Sequence, residues 1–245
     1  MTQPFYVSPE QLMKDRADFA RKGIARGRSV VVLSCAEGIA LVAENPSPSL
    51  HKVGEIYDRI AFAAVGKYNE FESLRQAGVR YADLRGYAYD REDVTARGLA
   101  SVYTQSLGAV FTTEGKPFEV ELAVVEVGAV PDEDRLFRLL FDGSISDQRG
   151  FVVMGGDAEA IGGVLATHHD PGATFAGAVS TAVDALRRAG ENGEETAAGR
   201  ELPAEQLEVA VLDRDPLTLR GSRRAFRRLG TEACAALLAG ERVGP

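Results

Sequence analysis

Only two cysteines, Cys35 and Cys234, and three histidines occur among the 245 residues. So few cysteines exclude a disulfide framework. One long-range bridge is arithmetically possible, but two free thiols in a reducing cytoplasm is the expectation. No apolar run reaches the ~18–20 residues that cross a bilayer, and the longest candidate, 30–43, is broken by Glu37 and Gly38. The opening Met1-Thr2-Gln3-Pro4 lacks a basic stretch followed by an apolar one, so no secretory signal is expected. Positive charge is also short: 28 Lys and Arg face 36 Asp and Glu, a net charge of −8. A global nucleic-acid footprint is therefore absent. The G-x-S-x-G, H-E-x-x-H and phosphate-loop motifs do not occur.

What is present is ordinary for a globular chain. Apolar residues make up 45% and charged residues 26%, which excludes disorder throughout. The charge is uneven. Lys14, Arg16, Arg21, Lys22, Arg26 and Arg28 face only Asp15 and Asp18 in the first helical stretch, and 220–228 carries five arginines without an acid. Excess acid collects at 132–134 and 191–201. Local basic stripes of this kind are either solvated faces or a rim for an acidic protein partner.

Residues 1–7 show no periodicity and contain Pro4, which predicts a flexible arm. Ser8-Pro9-Glu10-Gln11 starts a helix, with Ser8 at the N-cap, Pro9 at the first position and Gln11 able to complete a capping box. Leu12, Met13, Ala17, Phe19, Ala20 and Ile24 form its apolar stripe. Two hairpins follow, 29–35 with 39–43 and 52–57 with 60–66. Their runs are continuously apolar, the mark of strands covered on both faces, while such short turns join only antiparallel neighbours. Two helical stretches come next, the second capped by Asp93, then strands over 120–127, 135–141 and 151–154. Helices return over 157–169 and 173–189, a Glu/Gly-rich loop spans 190–203, strands over 207–212 and 223–229 close the sheet, and 231–238 is a short helix. Antiparallel strands buried on both faces demand a sheet on one side and helices on the other. The predicted fold is a four-layer αββα sandwich of two stacked antiparallel sheets, in one domain over 8–238, with an arm at 1–7 and a loose tail at 239–245.

Each candidate site has a plain reading beside it. Gly155-Gly156 resembles a phosphate cradle, but Asp157 at the helix start would repel an anion, so a tight strand-to-helix turn is expected. His168-His169 lacks the partners of a metal site and reads as a helix terminus. Thr2 would become N-terminal if Met1 were removed, but an arm and a whole helix separate it from the first strand, too far to be held in reactive geometry. Lys52, at the start of a hairpin strand, is either a solvated lysine or a point charge that receives a partner's carboxylate between subunits.

Several longer motifs stand in order: Ser8-Pro9-Glu10-Gln11, Arg21-Lys22-Gly23-Ile24-Ala25-Arg26, Val42-Ala43-Glu44-Asn45-Pro46-Ser47, Tyr57-Asp58-Arg59, Arg85-Gly86-Tyr87-Ala88-Tyr89-Asp90 and Val152-Val153-Met154-Gly155-Gly156. With these the chain resembles the α-type subunits of actinobacterial proteasome core particles, from about 5 to 238. The resemblance implies the sandwich of N-terminal-nucleophile hydrolases. It implies seven-membered α rings that cap β rings carrying the proteolytic threonine, so this chain is expected to be catalytically silent. Its implied tasks are to template β assembly, gate the chamber and dock a hexameric ATPase that delivers proteins tagged with a ubiquitin-like modifier. The gate is implied at Thr2, Gln3, Pro4, Phe5, Tyr6 and Val7, and activator docking at Lys52, with Lys67 and Arg28 nearby. Ring contacts are expected through Leu12, Phe19 and Ile24 of the leading helix, and a channel constriction at Thr112, Thr113 and Lys116. No cofactor, metal, nucleic acid or membrane is implied, and the location is cytoplasmic. Two rivals remain open: a self-sufficient hydrolase trimmed to expose a residue near Ser29, and a small-molecule binder.

Overall fold

A computed structural model describes residues 8–189 and 200–240. The arm at 1–7, most of the Glu/Gly-rich loop (190–199) and the last five residues of the tail (241–245) lie outside the described residues.

The leading helix α1 (Pro9–Ala25) starts where the sequence places it, with the Ser8 hydroxyl accepting from the Gln11 N–H at 3.2 Å. The reciprocal half of the capping box does not form, because the Gln11 amide donates to Asp15 at 2.7 Å instead. Strands β1 (Val30–Cys35) and β2 (Gly38–Glu44) form the first hairpin, and β3 (Val53–Tyr57) and β4 (Ile60–Gly66) the second. Helices α2 (Tyr68–Ala88) and α3 (Ala96–Thr113) follow. The cap of α3 is Thr95, whose hydroxyl accepts from Gly98 N–H at 3.2 Å; Asp93 ends a short 3-10 turn instead. Then come β5 (Val120–Glu126), β6 (Arg135–Leu140), β7 (Ile145–Gln148), β8 (Phe151–Met154), α4 (Ala158–His168) and α5 (Phe175–Arg188). The described chain closes with β9 (Leu207–Asp213), α6 (Pro216–Arg220), β10 (Phe226–Arg228) and α7 (Thr231–Leu238). The edge strand β7 and the five-residue α6 have no counterpart in the periodicity. β7 is exposed along its length and so lacks an apolar pattern, while α6 is a single turn and a half capped by Asp215.

The strands form two five-stranded antiparallel sheets, ordered β10-β9-β2-β1-β8 and β3-β4-β5-β6-β7. Side chains alternate between faces, and both faces are apolar. In β1, Val31, Leu33 and Cys35 pack with α4, α5 and α7, while Val30 and Val32 face the opposing sheet. In β4, Ala61, Ala63 and Val65 meet that same inter-sheet core, while Ile60, Phe62 and Ala64 turn to α2 and α3. Three apolar layers therefore hold four layers of structure, the αββα sandwich that the continuous apolar runs required. Cys35 and Cys234 are both free and buried, and burial pushes both thiols up.

Candidate functional site at the head of the first strand

The head of β1 decides whether this sandwich can hold an N-terminal nucleophile. Ser29 precedes β1, is 2% exposed, and its carbonyl accepts the Glu44 N–H at 3.0 Å. It is an internal residue: α1 runs into it through Arg26, Gly27 and Arg28, and the Gly27 N–H donates back to Ile24 at 2.8 Å. The Gly155-Gly156 turn after β8 seals the place from the other side. Gly155 has φ +112, and a Cβ there would lie 2.9 Å from Ser29 Cα. A Cβ on Gly156 would lie 2.5 Å from the Ala25 carbonyl oxygen. These glycines permit a close backbone approach and leave no cradle for phosphate. Below them Glu121 is buried, paired with Arg138, and within 3.4 Å of the Gly155 N–H. Burial pushes its carboxyl up despite the arginine. In the intact chain the Ser29 nitrogen is a peptide nitrogen, not a free α-amino group.

The structure joins Lys52 to Arg28, while Lys67, just past the end of β4, pairs with Glu70 instead. The Lys52 ammonium donates to the Arg28 carbonyl at 2.7 Å, and the Lys52 carbonyl accepts the Ala64 N–H at 2.9 Å. Lys67 follows β4 directly, and its N–H donates to Glu119 at 2.9 Å. None of the three heads is isolated. Arg28 pairs with Glu44, and Lys67 lies 3.9 Å from Glu70. Burial pulls Lys52 down to about 8, even though Glu44 and Glu208 favour its charged form. Burial also raises the Glu44 carboxyl, but Arg200 and Arg28 more than offset this and hold it below its usual range.

The stripe on α1 divides. Leu12 and Phe19 are 44% and 48% exposed, whereas Ile24 is 7% exposed and turns into the inter-sheet core. Ile24 thus anchors the helix to its own sheets, and Leu12 and Phe19 are the stripe residues open to a neighbour. The end of α3 is clasped by α1: Arg16 donates to the Phe111 carbonyl at 2.7 Å and to that of Thr112 at 3.3 Å. Thr112 and Thr113 bond back to their own helix through their hydroxyls. Lys116 pairs with Glu70 at 2.7 Å and Glu119 at 2.9 Å, and sits 5.6 Å from the Phe19 ring centre. Burial disfavours its charge, but the two carboxylates outweigh that and raise it.

One polar cluster escaped the sequence reading. Asp134 is buried, accepts from the Ser34 hydroxyl, from the Gly128 N–H at 2.8 Å, and from both Arg214 nitrogens at 2.7 and 3.0 Å. His169 Nε2 lies 2.8 Å from the Ser34 carbonyl oxygen. Serine, histidine and aspartate meet, yet the hydroxyl is locked onto the carboxylate and the imidazole onto main chain, so no base activates a nucleophile. In sequence Asp134 is one of the excess acids at 132–134, with no partner in view. His168 Nδ1 bonds separately to the Val164 carbonyl at 2.9 Å, and no cluster of metal-ligating side chains occurs among the described residues. Nor is any described helix long and apolar enough to cross a membrane.

Comparison with known proteins agrees with this architecture. The proteasome family, described as "Proteasome subunit", matches residues 24–202. A protein of Arthrobacter sp. (strain FB24) named "Proteasome subunit alpha" is 70% identical over 241 residues, covering 98% of this chain and 100% of that one. Its namesake from Renibacterium salmoninarum is 68% identical over 242 residues, covering 97% and 96%. Another of that name, from Streptomyces coelicolor, is 60% identical over 230 residues, covering 94% and 87%. The stacked sheets are accordingly those of the N-terminal-nucleophile hydrolase type. The chain belongs to the proteasome subunit family, in its actinobacterial α-type branch.

Proposed function

We propose that this chain is a non-catalytic subunit of a proteasome core particle, forming seven-membered outer rings that template β-ring assembly, gate the chamber and dock a regulatory ATPase. One observation carries the reading: Ser29, at the head of β1, is buried and internal, with the whole of α1 before it in the chain. A nucleophile that uses its own α-amino group as base needs that position to be a chain terminus. Peptide-bond cleavage is therefore assigned to the β subunits, and this chain contributes structure and control.

The parts divide the work. Residues 1–7 form the gating arm, 8–238 the working body and 239–245 the tail. Leu12 and Phe19, exposed on a helix rich in basic residues, support a head-to-tail contact that closes into a ring. Lys52, with Lys67 and Arg28, receives a C-terminal carboxylate of the hexameric ATPase that delivers proteins tagged with a ubiquitin-like modifier. A charge-assisted bond of that kind contributes roughly 1.5–3 kcal/mol, and several engaged together bias a gate. Thr112, Thr113 and Lys116 line the inner constriction. The reading places the particle in the cytoplasm.

The test is an image of the protein co-expressed with a matching β subunit. A four-ring barrel with sevenfold symmetry is expected. A monomer whose mass is unaltered by the β partner would sink the reading and favour a small-molecule binder, and a mature chain trimmed near Ser29 would favour a self-sufficient hydrolase.

A further inference from the structure

Glu208 lies on β9, in the sheet opposite β3, and its carboxylate is buried beside the segment that leads into Lys52. One oxygen accepts the Lys52 N–H at 2.8 Å and the Asn45 side-chain amide at 2.8 Å. The other accepts the Val53 N–H at 3.4 Å and faces Arg228 and His51, each at 3.2 Å. Asn45 in turn donates to the Leu50 carbonyl at 2.7 Å and accepts the Ser47 N–H at 3.1 Å. The whole turn from Asn45 to Val53, which crosses from the sheet of β2 and β9 to that of β3, is therefore wound on a single carboxylate supplied by β9.

That arrangement exceeds what a surface turn requires. A buried carboxylate is costly unless its oxygens are satisfied, and here two main-chain donors and an amide on the Lys52 segment satisfy it. The charged groups acting on the Lys52 ammonium are Glu44 at the end of β2, Glu208 on β9 and Arg28 before β1; of the titratable groups behind them, Arg200 is bound to Glu44, while His51 on the turn and Arg228 on β10 face Glu208. Glu44 and Glu208 favour the cation, and Arg28 opposes it.

We propose that Glu208 is the positioning residue of the Lys52 docking pocket, fixing the turn that presents Lys52 to a partner's carboxylate. The inference rests on the docking role proposed above. Lys52, lowered by burial to about 8, is cationic at neutral pH and loses its proton as pH rises through that value. Docking then fades on the alkaline side. Removing the negative charge at Glu208 lowers the proton affinity of Lys52 further and moves that loss to lower pH.

The experiment uses the particle assembled with its β partner. A synthetic peptide ending in a free carboxylate, with its C-terminal amide as control, is titrated between about pH 6.5 and 9, a range that brackets the shifted lysine. Acylation of Lys52 by an amine reagent is followed by mass spectrometry over the same range. Wild-type affinity is expected to fall through about pH 8, and Lys52→Arg to abolish that fall. Glu208→Gln is expected to weaken binding about tenfold near neutrality, the loss of one charge-assisted bond. It should also shift both the binding and acylation profiles to lower pH. Asn45→Ala, which loosens the turn and keeps the charge, should weaken binding without moving either profile. If Glu208→Gln fails to assemble, Glu44→Gln must show the pH shift and Asn45→Ala the loss of affinity. Wild-type affinity and acylation in Glu208→Gln, with binding lost in Lys52→Ala, would overturn this inference and leave the docking role standing. Undiminished binding in Lys52→Ala would overturn the docking role and with it the inference.

Discussion

The Lys52 ammonium donates to the main-chain carbonyl of Arg28 at 2.7 Å. Lys52 opens the β3 hairpin, while Arg28 sits in the link between α1 and β1. The bond therefore joins the proposed activator pocket to the base of the leading helix, whose other end carries the arm.

Lys52→Ala is accordingly expected to weaken ATPase binding at least about tenfold, a loss of the size of one charge-assisted bond. Ring assembly should be unaffected, because Glu208 still holds the turn through main-chain N–H groups. Binding to immobilised particles and native mass measure the two quantities separately. Undiminished binding would show that the carboxylate is received elsewhere.

Deletion of 1–7 is expected to speed hydrolysis of peptides and small unfolded proteins by the assembled particle, and to leave cleavage of very short peptides less affected. Initial rates against peptides of increasing length check this. Rates unchanged at every length would remove the gate from the account.

The clasp between α1 and the end of α3 predicts a local effect. Arg16 satisfies two terminal carbonyls of α3, those of Phe111 and Thr112. Arg16→Ala should cost about 1–2 kcal/mol, as expected of a helix end left unsatisfied. Amide exchange over 112–117 should rise while the sheets stay protected. Exchange confined to α1 would mean that the two segments are not coupled.

Packing between α2 and α3 yields a test independent of function. A Cβ on Gly78 would lie 1.8 Å from the Tyr103 hydroxyl oxygen, and that hydroxyl donates to the Leu74 carbonyl at 3.0 Å. Gly78→Ala should therefore destabilise the protein by roughly 1–3 kcal/mol through overpacking. Tyr103→Phe should cost about 1 kcal/mol for the lost bond. In the double variant the closest contact is removed although the ring Cζ, 2.7 Å from that Cβ, remains, so its loss should be smaller than the sum. Strict additivity in thermal denaturation would contradict the contact.

Much of this was legible in the residues. The continuous apolar runs in β1, β2 and β4 required cover on both faces, and that demand alone leads to stacked sheets between helices. Ser8 and Pro9 fixed the start of α1. What the periodicity could not reveal was set by long-range partners. Ile24 lies on the same side of α1 as Ala20 and packs into the inter-sheet core, whereas Leu12 and Phe19 lie more than about 100° around the helix and stay exposed. Asp134 stood in a run of excess acid, and its partner, Arg214, lies far along the chain. Glu208 alternates as an ordinary polar residue of a strand, and its hold on Lys52 exists only across the two sheets.

The most direct test of the central claim is peptide hydrolysis by the assembled particle, measured for Ser29→Ala and Thr2→Ala in this chain and for loss of the nucleophile in the β partner. Full activity in both variants of this chain, and none without the β nucleophile, is the predicted result. Cleavage that survives loss of the β nucleophile yet disappears in Ser29→Ala or Thr2→Ala would contradict it.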